Sequence, residues 1–87
     1  MNMWIRSVLN VLWNINNIKM IFPEQYNDNW AVFVLNGHKE QYVLGVYKSE
    51  RTALDVMEAL EVFIARNQPG SIFIMPRDEE KVGETKS

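Results

Sequence analysis

Apolar and polar positions fall in blocks along the chain, and the spacing within each block identifies an element. The clearest block runs from Glu50 to Arg66. Ala53, Val56, Met57, Leu60, Phe63 and Ile64 recur at helical spacing and form one apolar stripe, while Asp55, Glu58 and Glu61 lie away from it. Ser49 is a suitable N-cap, because its hydroxyl can accept from an otherwise unpaired N–H of the first turn. Glu50 stands at the positive end of the helix dipole and Arg66 at the negative end, and Pro69-Gly70 stops the segment.

Strand-like blocks flank this helix. Trp30 to Leu35 and Tyr42 to Tyr47 are rich in aromatic and β-branched residues. Asn36-Gly37 between them signals a hairpin, because both residues tolerate positive φ. A two-residue loop would pair Phe33 with Glu40. A four-residue loop, Asn36 to Lys39, pairs Phe33 with Tyr42, Val32 with Val43 and Ala31 with Leu44. The second register matches apolar with apolar and is the expected one. Gly45 marks a bend or a close helix approach. Ser71 to Met75 reads as a short closing strand bounded by prolines, and Asn16 to Phe22 as an earlier strand closed by Pro23, with a polar turn over Glu24 to Asn29. Residues 77–87 are too polar to offset their ordering entropy, so one domain over 1–76 and a flexible polar tail over 77–87 are expected.

The first fifteen residues are open to two readings. Trp4, Ile5, Val8, Leu9, Leu12 and Trp13 fit one face of an amphipathic helix by period. Against that, Val, Ile and Trp favour strands, and Ser7 and Asn10 suit a turn.

The opening Met3-Trp4-Ile5-Arg6-Ser7 resembles that of a group of small uncharacterised proteins of Gram-positive bacteria and their phages. Leu12-Trp13-Asn14-Ile15-Asn16-Asn17-Ile18 is similar to that group's continuation. Leu44-Gly45-Val46-Tyr47-Lys48-Ser49-Glu50, running on through Arg51-Thr52-Ala53-Leu54-Asp55-Val56, resembles its strand-then-capped-helix signature, and Ile72-Phe73-Ile74-Met75-Pro76 its closing strand. The likeness spans most of residues 3–76. It implies an N-terminal β-hairpin, and hence an α+β fold: a small antiparallel sheet of about five strands, hairpin included, with one helix on one face. Where the group has a polar turn after its Ser, this chain has Val8-Leu9-Asn10, an apolar tip that suggests a contact surface. The resemblance brings no activity and no catalytic residues.

Composition narrows the chemistry. Cysteine is absent, so disulfides, zinc-thiolate sites and thiol catalysis are excluded. A net charge of -2 gives no basic excess for nucleic acid. One histidine, His38, sits at an expected hairpin tip and is a poor start for a metal site or a catalytic triad. The acidic residues concentrate on the helix exterior and in the tail, where the plainer reading is a solvated face. No cofactor, no metal, no catalytic residue and no enzymatic activity are expected. No apolar run is long enough to span a bilayer, and no signal peptide is evident, so a cytoplasmic location is expected.

One helix covers only one face of a sheet, and the other face of this one retains apolar residues, which calls for a partner. The expectation is a non-enzymatic interaction protein of phage or mobile-element type. It would act by self-association, most simply as a homodimer, or by docking on a host protein through Trp4, Arg6, Val8, Leu9 and Trp13. The alternative is a nucleotide-sequestering protein built as a symmetric oligomer, with Arg6, Lys19, Lys48 and Arg51 holding phosphates.

Overall fold

The computed structural model describes residues 2–78. The chain runs β1 (Trp4–Arg6), β2 (Leu12–Asn14), a 3-10 turn (Ile15–Asn17), β3 (Ile18–Tyr26), β4 (Asn29–Asn36), β5 (Gln41–Tyr47), α1 (Glu50–Arg66) and β6 (Ile72–Ile74). The fold is α+β with a single helix. Its six strands divide into two three-stranded sheets, ordered β2-β1-β6 and β3-β4-β5, in place of one sheet of about five. The start of the chain is an antiparallel hairpin, not a helix, pairing Trp4 with Asn14, Ile5 with Trp13 and Arg6 with Leu12. β6 joins β1 in parallel, Trp4 beside Ile72 and Arg6 beside Ile74.

The helix has the expected bounds and caps. The Ser49 hydroxyl accepts from the Thr52 N–H at 3.2 Å. Asn67 ends the helix in the left-handed region (φ 50°) and donates its N–H to the Ile64 carbonyl.

Three local expectations change. β3 does not stop at Pro23 but runs on to Tyr26, with Pro23 opposite Val32. β3 is an edge strand, and an edge tolerates a residue that cannot donate to a ladder. The polar turn after it shrinks to Asn27-Asp28, with Asn27 left-handed (φ 56°). The β4–β5 hairpin takes neither anticipated register. Its loop has three residues, 37–39, with Lys39 left-handed (φ 66°) and Asn36 donating its N–H to the Glu40 carbonyl. This pairs Val34 with Tyr42 and Phe33 with Val43. The Asn36 side chain holds the loop: its Oδ1 accepts from the His38 and Glu40 N–H groups, and its amide donates to the Glu40 carboxylate. That amide, with the Tyr42 hydroxyl, keeps the Glu40 carboxyl below its ordinary value. A bulge at Leu44 then adds a second residue of slip, so that Val32 lies opposite Gly45 and Ala31 opposite Val46, each two positions beyond the partner that apolar matching assigns.

The core is Ile5, Val32, Val34, Leu44, Tyr47, Ala53, Val56, Leu60 and Met75. Residues of α1 and of the N-terminal sheet share this one cluster, so both lie on the same side of the β3-β4-β5 sheet. Tyr47 is its largest fully buried member. Its ring lies over Gly45, where an added Cβ would sit 2.5 Å from the tyrosine oxygen. The close approach at Gly45 is therefore made by a side chain of its own strand, not by the helix as expected.

Candidate functional site

The site is built on the N-terminal hairpin and the last strand. Ser7 is 3% exposed and organises the hairpin's turn. Its Oγ accepts from the Leu9 and Val11 N–H groups at 3.2 and 3.1 Å, and its backbone N–H reaches the Val11 carbonyl. Asn10 supplies the left-handed residue of the turn (φ 65°). Val8 turns inward against the core, and its N–H donates to the Leu44 carbonyl at the bulge. Leu9 points out and is 69% exposed.

Residues opposite one another on paired strands share a face. On the inner face of the small sheet, Ile5 is fully buried, while Trp13 and Phe73 pack against the core. Trp13 also meets Tyr42 at 5.2 Å between ring centroids, and Phe73 meets Phe63 of the helix at 5.5 Å. On the outer face two rows cross the sheet: Leu12, Arg6 and Ile74, then Asn14, Trp4 and Ile72. Leu12, Ile72 and Ile74 are 45%, 47% and 66% exposed. Arg6 is the only charged residue of the six.

Of the five residues singled out from sequence, the structure therefore places Arg6, exposed, and Trp4, half-buried, on the outer face, with Leu9 exposed in the hairpin turn. It places Val8 and Trp13 on the opposite, core-packed side. Leu12, Ile72 and Ile74 were missed. The alternation Ile72-Phe73-Ile74 carries the signal that two isoleucines share a face, but nothing in the sequence says that this face is continuous with Trp4 and Arg6.

The segment after β6 is fastened to its surroundings. Met75 donates its N–H to the Arg6 carbonyl, and the Tyr47 hydroxyl donates to the Pro76 carbonyl at 2.8 Å. The Arg77 guanidinium donates to the Val8 carbonyl at 2.7 Å, and Asp78 accepts from the Lys48 N–H at 2.9 Å. Burial, with the Asp78 carboxylate as a lesser cause, pushes the Tyr47 hydroxyl up to about 12. The polar tail was expected from residue 77. Its first two residues are thus engaged, and the rest of it, residues 79–87, lies outside the described residues.

The far side of the larger sheet is apolar, as the uncovered-face argument requires, yet it shields much of itself. Phe22 stacks on Phe33 at 5.6 Å and Tyr26 meets it edge-on at 5.9 Å, which leaves Phe33 only 7% exposed. Among the described residues, the outer face of the small sheet has no such ring-on-ring cover.

The cations named for a nucleotide site do not converge on one concavity among the described residues. Lys19 lines an open groove between β2 and the β4–β5 turn, Lys48 a separate cleft with Arg77 and Asp78, and Arg51 pairs with Asp55 at 3.4 Å. Among the described residues no cluster of three or more His, Cys, Asp or Glu is placed to hold a metal, and no helix is long and apolar enough to cross a membrane. No family model, curated protein or solved structure matches the chain.

Proposed function

We propose that this protein works by association rather than by catalysis, and that the outer face of its N-terminal sheet is the contact surface. The observation that carries the reading is the pair of rows through Arg6 and Trp4. Three exposed aliphatic side chains and an indole are set on one small sheet, with a single charge among them. Contiguous apolar surface of this kind is costly to leave in water, and aromatic and arginine side chains are enriched among residues that dominate binding. The groups that place the face, Ser7 and the chain after β6, use hydrogen bonds that do not consume its side chains.

A photo-cross-linking residue at position 74, in cells producing the protein, tests this. A discrete adduct is expected there and none from the same residue at position 59, on the exposed side of the helix. Equal labelling at the two positions, or no discrete adduct at 74, removes the reading.

A further inference from the structure

We infer that the occupant of this face is a second copy of the chain, docked about a two-fold axis that crosses β1 between Trp4 and Arg6, so that each Arg6 guanidinium lies on the partner's Trp4 indole. The inference rests on the association reading above and names its partner.

The register is what selects the axis. The face consists of the row Leu12-Arg6-Ile74 and, two residues along, the row Asn14-Trp4-Ile72. Two sheets packed face to face lie about 10 Å apart with their strands nearly aligned. A two-fold axis running along the strands would set Arg6 against the partner's Arg6, two like charges removed from water together, which is unfavourable. An axis running across the strands, between the rows, exchanges them. It sets Arg6 over the partner's Trp4, Ile74 over the partner's Ile72, and Leu12 over the partner's Asn14. Each cation then has an aromatic face, the most favourable partner a lone guanidinium finds without a carboxylate. The isoleucines meet each other.

Size agrees with a modest dimer. With whole side-chain areas on the order of 200 Å², the exposed parts of Leu12, Ile72 and Ile74 amount to roughly 300 Å² per copy, to which Arg6 and the half-buried Trp4 add, against about 800 Å² per partner in an ordinary stable interface, so the contact is a weak one. An interface at this low end is expected to be weak and readily reversible.

Sedimentation of the purified full chain over a concentration series tests the inference. A reversible monomer–dimer equilibrium is expected. Ile74→Asp, at a site exposed enough to leave folding unchanged, is expected to weaken it about 100-fold or more by burying a charge at each end of the contact. Arg6→Ala and Trp4→Leu are each expected to weaken it about 10-fold, and the double variant no further, because both remove the same cation–π contact. A monomer at about 1 mM overturns the inference, as does a dimer indifferent to Ile74→Asp, or additive losses from Arg6 and Trp4. A discrete adduct from position 74 in cells alongside a purified monomer would overturn the second-copy assignment alone and leave the association reading standing with another partner.

Discussion

Tyr47 holds the larger sheet to the segment after β6, and its ionisation offers a quantitative check on that role. The side chain is 1% exposed and its hydroxyl donates to the Pro76 carbonyl at 2.8 Å. Burial pushes its pKa from the ordinary 10.0 up to about 12. The folded state therefore keeps a proton that the unfolded chain releases first. The associated stability is fully present below pH 10 and is lost as pH rises through 12. At about 1.4 kcal/mol per unit of difference, the loss is on the order of 2–3 kcal/mol, with about half of it gone by pH 11. Tyr47→Phe cannot ionise but lacks the hydrogen bond, which costs about 1 kcal/mol at neutral pH. Urea denaturation of both proteins from pH 8 to 12 separates the two effects, because other titrating groups act on both alike. The wild type is expected to be the more stable at pH 8, and the order is expected to invert near pH 11. Parallel curves would refute the reasoning, since they would mean that the hydroxyl ionises as readily in the fold as out of it.

Four further outcomes follow from particular contacts. Ser7→Ala removes the acceptor for the Leu9 and Val11 N–H groups and is expected to cost about 1–2 kcal/mol in denaturant unfolding, with faster hydrogen exchange at those two amides. Gly45→Ala drives a Cβ into the Tyr47 ring and is expected to destabilise by about 1–3 kcal/mol by the same measurement. Lys39→Gly relieves a left-handed residue in the β4–β5 turn and is expected to raise stability by up to about 1 kcal/mol, seen as a higher melting temperature. Ile5→Ala empties a fully buried site shared by both sheets and the helix and is expected to cost about 2–5 kcal/mol in unfolding.

Elements set by neighbouring residues were legible in the sequence, and those set by distant ones were not. The Ser49 cap, the apolar stripe from Ala53 to Leu60 and the stop before Pro69 are local chemistry, and the helix falls where they place it. The two central strands were equally plain. The β4–β5 register was not, because it depends on the Asn36 side chain gripping His38 and Glu40 and on a bulge at Leu44, each of which moves the pairing one residue further from apolar matching. Pro23 misled because its cost depends on whether a strand lies at an edge, which is a property of the whole sheet. The hairpin at the start was undecided by period alone, since Trp4, Ile5, Val8 and Leu9 satisfy a helical stripe as well as they satisfy a strand, a turn and its tip. Half the contact face was invisible for the same reason: Ile72 and Ile74 reach Trp4 and Arg6 through a parallel pairing that spans nearly the whole chain.

That long-range pairing has a functional consequence. Because side chains alternate along a strand, folding and the proposed association are divided between odd and even positions of the same three short strands. Met3, Ile5, Ser7, Phe73 and Met75 face inward and hold the small sheet to the core, whereas the Arg6, Leu12, Ile72 and Ile74 side chains face outward and are no part of that core among the described residues. Changes to the outer set are therefore nearly free for the fold, and the face is able to vary without loss of the structure that presents it. The proposed contact therefore rests on three exposed aliphatic residues set beside one indole and one guanidinium, on a sheet fastened by Ser7, Tyr47 and Arg77.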